Sequence, residues 1–267
     1  MLISVIITTY NSPNFLKKCL NSFLEQKDEN FEIIVADDGS TSDTKNIIDS
    51  FKGANFNIFH TWHEDEGFRA AKIRNEAVKL SSGKYLIFVD GDCVVFNDFI
   101  ENHRKIAEPG FFARGNRAML SKFISCQIVD EDIDINCISA IEFIKLRLKK
   151  NINRIIPIIR FINYPLRKIR KKKWKGAKTC NLGVWKSDFE DINGYDESYI
   201  GWGREDSDLV VRLINNNIFR KEAIFSTGLL HLKHEINSRE NFTKNDKLLN
   251  EAINKSKTYI ENGYIKS

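Results

Sequence analysis

Between Tyr85 and Asp92 an apolar run, Tyr85-Leu86-Ile87-Phe88-Val89, ends abruptly in two aspartates separated by one glycine. A short run of branched and aromatic residues with no polar alternation reads as a buried strand of a parallel sheet. In such sheets the ligand crevice lies off the carboxyl ends of the strands. Asp90 and Asp92 are therefore expected on the rim of a cleft. Two carboxylates about 4 Å apart repel by about 4 kcal/mol at an effective dielectric of about 20. A bound cation removes that repulsion, and Mg2+ and Mn2+ suit carboxylate oxygens and are often shared with substrate phosphates. Gly91 lets the chain turn sharply and lets a phosphate approach the backbone.

The rest of the first hundred residues repeats this pattern. Leu2 to Thr9 is a β-branched run broken by Tyr10-Asn11-Ser12-Pro13, and Pro13 suits the first turn of a helix that reaches about Gln26. Phe31 to Ala36 is a second strand, ending in Asp37-Asp38-Gly39-Ser40 and followed by a helix through Ile47 and Ile48. A third strand is expected at Asn57 to Trp62, and a helix from Gly67 to near Gly83. Strands and helices alternating at this spacing mean βαβ units. Further on, Asn97 to Ala107 reads as a helix, Phe111 to Leu120 as a strand, and Cys137 to Lys150 as an amphipathic helix. Lys178 to Trp185 reads as a strand, Gly203 to Asn216 as a helix, Ile218 to Ser226 as a strand, and the tail after Ser238 as polar and helical.

Composition limits the alternatives. At 267 residues and 42% hydrophobic the chain can bury a sizeable core. It has no apolar run near the length of a membrane span. Met1 to Ile7 lacks a basic region and a cleavage site, so a first strand is expected there rather than a signal peptide. Five scattered cysteines form no CxxC pair, which fits reduced thiols in a cytosolic protein. The net charge of +5 is modest, and most of the excess lies between Lys145 and Lys178.

Three strand ends then direct polar residues into one crevice: Thr8-Thr9-Tyr10-Asn11, Asp37-Asp38-Gly39-Ser40, and Asp90-Gly91-Asp92. Asp38 and Asp90 can accept from a base N–H and from ribose hydroxyls, and a metal on Asp92 together with arginines can neutralise a diphosphate. Arg69 and Arg74 precede the metal strand, and their i, i+5 spacing lets only one of them reach phosphate. These three motifs, with Ser4 to Asn11 in full, resemble the family 2 glycosyltransferases of the GT-A fold. The resemblance implies an α/β, Rossmann-like fold for nucleotide-diphospho-sugar transferases, with a central, mostly parallel sheet flanked by helices. It also implies a nucleotide-sugar donor, usually UDP-linked, a divalent metal (Mn2+ or Mg2+), and inversion at the anomeric carbon. By that analogy Asp38 holds the uracil or ribose, Asp90 the ribose, and Asp92 the metal.

In the second half, Gly201-Trp202-Gly203-Arg204-Glu205-Asp206-Ser207-Asp208-Leu209 resembles the Gly-Trp-Gly-x-Glu-Asp-x-Asp-Leu motif of galactosyltransferase-like and chondroitin-polymerase-like enzymes. Asn193-Gly194-Tyr195-Asp196-Glu197 and Thr179 to Trp185 resemble the segments that precede it. Tyr195 for phenylalanine and Arg204 for glycine depart from the pattern, and Arg204 bears on acceptor contacts. An inverting transfer needs a base to take the proton of the acceptor hydroxyl. Asp206 is the expected base, with Glu205 directed at acceptor or donor hydroxyls. Trp202 offers a flat face to the acceptor sugar, and Gly203 and Arg204 complete that loop. Acidic residues also suit a helix N-terminus for dipole reasons alone. In related enzymes a histidine completes the metal shell; here His231 or His234 is the candidate, with one ligand expected rather than both, and His231 preferred.

The segment 145–178 interleaves cations with aliphatic residues, Phe161, Tyr164 and Trp174. That mixture suits an anionic lipid surface, while no nucleic-acid recognition motif accompanies the charge. The expected organisation is a nucleotide-sugar-binding half (1–120), an acceptor and catalytic half (121–237) containing that membrane-facing segment, and a polar helical tail (238–267). The expected activity is transfer of a hexose or N-acetylhexosamine from a UDP-sugar to a bacterial surface glycan, free or lipid-linked, such as lipopolysaccharide or capsule. The expected location is cytoplasmic, peripheral at the inner face of the membrane. The rival reading is a non-catalytic glycan- or nucleotide-binding module on a degenerate scaffold.

Overall fold

The computed structural model describes residues 1–234 and 240–266. Its centre is a seven-stranded sheet in the order β3 (Asn57–Trp62), β2 (Phe31–Asp37), β1 (Ile3–Thr9), β4 (Tyr85–Asp90), β8 (Leu182–Trp185), β6 (Phe111–Arg114), β9 (Phe219–Glu222). The first four strands are parallel; β8 runs antiparallel to both β4 and β6, and β6 and β9 are parallel. The second half of the chain therefore extends the same sheet as the first.

Both faces of the sheet are covered, which is why its central strands read as unbroken apolar runs. Ile3, Val5 and Ile7 of β1 pack with Leu16, Leu20 and Phe23 of α1 (Pro13–Leu24), Ile48 of α2 (Ser42–Ser50) and Phe99 of α4 (Phe99–Ile106). Ile6, on the other face, packs with Ile73 and Ala77 of α3 (Ala70–Leu80), Phe189 of α7 (Lys186–Asp191) and Leu209 and Leu213 of α8 (Glu205–Asn215). Each fully buried aliphatic side chain contributes about 1.5–3 kcal/mol.

A second sheet joins β5 (Cys93–Val94), β10 (Leu229–His231) and β7 (Arg117–Met119). β10 pairs antiparallel with β5, setting His231 opposite Cys93 and so beside Asp92. Helices α5 (Lys122–Asp130) and α6 (Ala140–Leu148) share the core beneath this sheet. Helix α9 (Phe242–Asn254) follows, and the chain ends against Asn193, whose side chain bonds the backbone of Ile260 and Ile265.

Several expected boundaries move. Phe111 to Leu120 is not one strand but β6 and β7 in different sheets, parted where Gly115 N–H donates to Asn181 O. The helix expected over Cys137 to Lys150 is a 3-10 turn at Ile135–Cys137 and then α6, and Phe143 is its one buried residue. Lys178 to Trp185 enters through a 3-10 turn before β8, and only Phe219–Glu222 of the expected strand at Ile218 to Ser226 is extended pairing. The start of the expected tail helix lies partly outside the described residues. Among the described residues no helix is long and apolar enough to cross a membrane.

Candidate active site

The Asp-Gly-Asp turn closes tightly on β1. Gly91 N–H donates to Thr8 O at 2.8 Å, and a Cβ on Gly91 would lie 3.1 Å from that oxygen, so the site favours glycine. Asp92 then faces both histidines: His231 Nε2 lies 3.3 Å from Oδ1 and His234 Nε2 3.0 Å from Oδ2. The structure thus brings together two rings where sequence reasoning expected one. His231 Nδ1 lies 2.9 Å from Leu232 O. A carbonyl only accepts, so Nδ1 carries the hydrogen. Burial, joined by Arg117, lowers the His231 pKa against Asp92 and Asp90. A neutral ring in this tautomer turns an Nε2 lone pair toward a carboxylate. Burial raises Asp92, but the His234 hydrogen bond and the charges of His231, His234 and Arg117 outweigh it and hold this carboxyl below its ordinary value. One carboxylate and two imidazole nitrogens, all within 4.8 Å of one another, fit a divalent cation.

Arg74 stands between the end of β4 and the start of α8. It is buried on α3; its Nε donates to Thr8 Oγ1 at 2.9 Å, and its Nη2 to Asp90 Oδ1 at 3.3 Å. Its Nη1 lies 3.6 Å from Glu205 Oε1 and 3.7 Å from Asp206 Oδ1, and its guanidinium sits over the Tyr195 ring. Burial opposes its charge, but Tyr195, Asp206, Asp90 and Glu205 more than compensate and keep it protonated. Arg74 is thus committed to carboxylates. Arg69 lies at the start of α3; its side chain pairs with Glu66 at 3.9 Å, and its backbone N–H donates to Asp38 Oδ2 at 2.9 Å.

Across Arg74 stand Glu205 and Asp206, in the first turn of α8. Gly201, Gly203 and Arg204 all have positive φ and fold the preceding loop. Arg204, at φ 83°, occupies a conformation that glycine adopts with less strain, which gives the residue at this departure from the motif a backbone cost of about 1 kcal/mol. Thr179 donates to Asp206 twice, from its backbone N–H to Oδ2 at 3.2 Å and from its hydroxyl to Oδ1. Glu205 is buried, and its Oε2 has no hydrogen-bond partner among the described residues. Burial first, then the Asp206 charge, push Glu205 up to about 7 against the pull of Arg74. Asp208 is used differently: it binds Arg212 at 2.7 Å, inside the core.

The remaining candidates make contacts of their own. Asp38 is buried, with Oδ1 2.8 Å from His63 Nε2. Burial raises its pKa against the Arg69 N–H and His63. Thr9 is buried at the end of β1, Tyr10 OH donates to Asp65, and Asn11, at φ 43°, accepts from Thr41 N–H. Trp202 stacks on Phe242 of α9, and Arg204 lies over the same ring while pairing with Asp246 at 2.7 Å. Asn245 pins Gly203 O at 3.0 Å. Thr8 was expected among the crevice residues, whereas sequence reasoning gave no role to His63, Arg117, Thr179 or Phe242. Thr179 begins one of the segments that resemble the galactosyltransferase-like motif, Arg117 lies inside the strand expected at Phe111 to Leu120, and His63 directly follows β3; Phe242 carried no signal of its own.

Residues 4–112 match the sequence profile described as glycosyl transferase family 2. Over these residues the chain is similar to the family 2 glycosyltransferases. Residues 165–235 match the profile described as the N-terminal domain of galactosyltransferase. Among curated relatives, a validoxylamine A glucosyltransferase of Streptomyces hygroscopicus subsp. jinggangensis is 27% identical over 226 residues, 79% of this chain and 51% of that protein. The glycosyltransferase GlyA of Streptococcus pneumoniae is 38% identical over 107 residues, covering 40% of this chain and 15% of that one. The chain thus spans about half the length of the first of these relatives, or less. Among solved structures, S. aureus TarS 1–349 in complex with UDP-GlcNAc superposes with a TM-score of 0.59 at 16% identity, over 93% of this chain and 65% of that one. The mannosyltransferase PcManGT of Pyrobaculum calidifontis, in complex with GDP-Man and Mn2+, gives 0.58 at 15% identity, over 96% and 69%. These likenesses show the fold, which is GT-A.

Proposed function

We propose that this chain transfers a hexose or N-acetylhexosamine from a UDP-sugar to a hydroxyl of a bacterial surface glycan, with inversion at the anomeric carbon. The observation that carries the reading is the Arg74 guanidinium, which joins Asp90, next to the Asp92–His231–His234 group, to Glu205 and Asp206 on the opposite element. Nucleotide-side and acceptor-side carboxylates thereby stand across one cation. The UDP-GlcNAc complex of TarS supports a UDP-linked donor, and the GDP-Man complex with Mn2+ supports a divalent cation.

In this reading Asp38 and Asp90 accept from the nucleoside, with Thr9, Tyr10, Asn11 and Gly91 shaping its seat. Asp92, His231 and His234 hold the cation, with Asp90 beside them; two imidazoles favour Mn2+ over the harder Mg2+. When bound, that cation supplies positive charge to the diphosphate as it leaves. Asp206 takes the proton of the attacking hydroxyl, its carboxylate aimed by Thr179. Arg74 keeps Asp206 from drifting and offsets its charge before the proton arrives. Glu205 accepts from or donates to a sugar hydroxyl, and Trp202, backed by Phe242, presents its ring to the acceptor. The acceptor is a growing lipopolysaccharide, capsular or similar glycan, met by a cytoplasmic protein held peripherally at the membrane through 145–178.

The test is a panel of UDP-sugars incubated with Mn2+ and assayed for UDP. Metal-dependent release from one or two donors supports the reading. UDP bound tightly without turnover of any donor contradicts it and fits a binding module instead.

A further inference from the structure

The segment 145–178 contains fourteen Lys and Arg and no Asp or Glu, so it carries +14 while the rest of the chain carries −9. The fold sorts these cations into two kinds. Arg167 is buried and donates to the carbonyls of Phe161, Ile162, Glu222 and Ile224 and to the Ser226 hydroxyl, so it is a structural cross-link. Arg160 pairs with Asp98 and Lys168 with Glu108, the two ion pairs of this segment among the described residues. Arg147, Lys149, Lys150, Arg170, Lys172 and Lys173 are exposed.

Helix α6 exposes aliphatic side chains as well as the polar Glu142, Lys145 and Arg147. Phe143 and Leu146 enter the core under the small sheet, with Ile124 and Ile128 of α5. Ile141, Ile144 and Leu148, at i, i+3 and i+7, make a second aliphatic stripe on the opposite side. Ile141 is 66% and Leu148 76% exposed. Lys145 and Arg147 flank that stripe at helical spacing. Further along, Ile169 is 71% exposed in the midst of Lys168 and Arg170, and Phe123 of α5 is exposed as well.

We infer that the outward stripe of α6 and the exposed cations of 145–175 form a docking surface for an anionic phospholipid bilayer. Bare aliphatics flanked by cations match a headgroup layer, which takes apolar side chains at its acyl boundary and cations at its phosphates. A nucleic acid meets the cations but leaves the aliphatic stripe in water. The segment ends at Lys178, beside Thr179, whose N–H and hydroxyl hold Asp206. Docking therefore sets the proposed base close to the bilayer, and the acceptor is a glycan carried on a membrane lipid; this last step rests on the proposed transfer reaction, while the surface itself does not.

The test is co-sedimentation with vesicles of phosphatidylcholine, alone or with about a third phosphatidylglycerol. The wild type binds the anionic vesicles and leaves neutral ones in the supernatant. An Arg170→Gln/Lys172→Gln/Lys173→Gln variant binds them about a hundredfold more weakly at low salt, since each cation near the surface contributes about fivefold. Ile141→Ser/Leu148→Ser binds at least about tenfold more weakly. All of these positions are exposed, so thermal unfolding stays that of the wild type. Failure of the wild type to bind anionic vesicles overturns the inference. So does an aliphatic variant that binds as the wild type does, or competition by duplex RNA that is equally effective against both variants. UDP release by the same proteins without vesicles is unchanged by either substitution set. If UDP release is absent from all of them, the transferase reading falls and the vesicle result still decides this surface.

Discussion

Glu205→Gln is the substitution whose effect the structure sizes most directly. Glu205 shares Arg74 with Asp90 and Asp206, so three carboxylates surround one guanidinium. Burial and the Asp206 charge raise Glu205 from 4.5 to about 7. In the unfolded chain the same carboxyl titrates at about 4.3. Between those values the folded protein binds a proton that the unfolded chain does not. Stability is therefore full below about 4.5, falls as pH rises to about 7, and is level beyond. At 1.36 kcal/mol per pKa unit the loss is about 3 kcal/mol. Glutamine keeps the shape and stays neutral, so it escapes that loss, and Arg74 still has two carboxylates. Urea unfolding of the ligand-free proteins, from pH 4 to pH 8, is the assay. The variant should exceed the wild type by about 2–3 kcal/mol at pH 8 and match it at pH 4. Equal stability at pH 8, or an offset that does not change with pH, refutes the reasoning.

Arg74→Met removes the shared cation from the same group and should destabilise the fold by about 3–5 kcal/mol at pH 8 in the same assay. His231→Ala and His234→Ala should each weaken Mn2+ binding at least about tenfold, read from the free-ion electron paramagnetic resonance signal; unchanged affinity in both removes histidine from the cation site. Arg167→Gln should destabilise by about 3 kcal/mol or more, because it strands four carbonyls and a hydroxyl, whereas Arg170→Gln should stay within about 0.5 kcal/mol. Thermal unfolding distinguishes the two.

The strands that carry Asp38, Asp90 and Asp92 were legible because each is short, apolar and ended by a turn former, a pattern set by burial on both faces of the sheet. Asp38, Asp90 and Asp92 therefore fall at strand ends, as anticipated. The partners of those residues were not legible, since they come from far along the chain. Arg74 points inward because Thr8, Asp90, Tyr195, Glu205 and Asp206 converge there, and nothing between residues 69 and 74 announces it. The break between β6 and β7 has the same origin. A Cβ on Gly115 would lie 2.0 Å from Asn181 Oδ1, so the strand is interrupted by a residue far downstream. The outward stripe of α6 was hidden for another reason. Helical periodicity was present in the sequence, but two opposed aliphatic stripes look like one amphipathic helix until burial shows which one the core takes.

The claim on which the account depends is that Asp206 removes the acceptor proton opposite the cation-bearing side of the cleft. Asp206→Asn keeps the shape of the side chain and removes its basicity. With saturating UDP-sugar and Mn2+, transfer by this variant should fall about 10²–10⁴-fold while metal-dependent UDP affinity, measured on the same preparation, stays within about twofold. Transfer within about tenfold of the wild type, with UDP binding intact, would contradict the account.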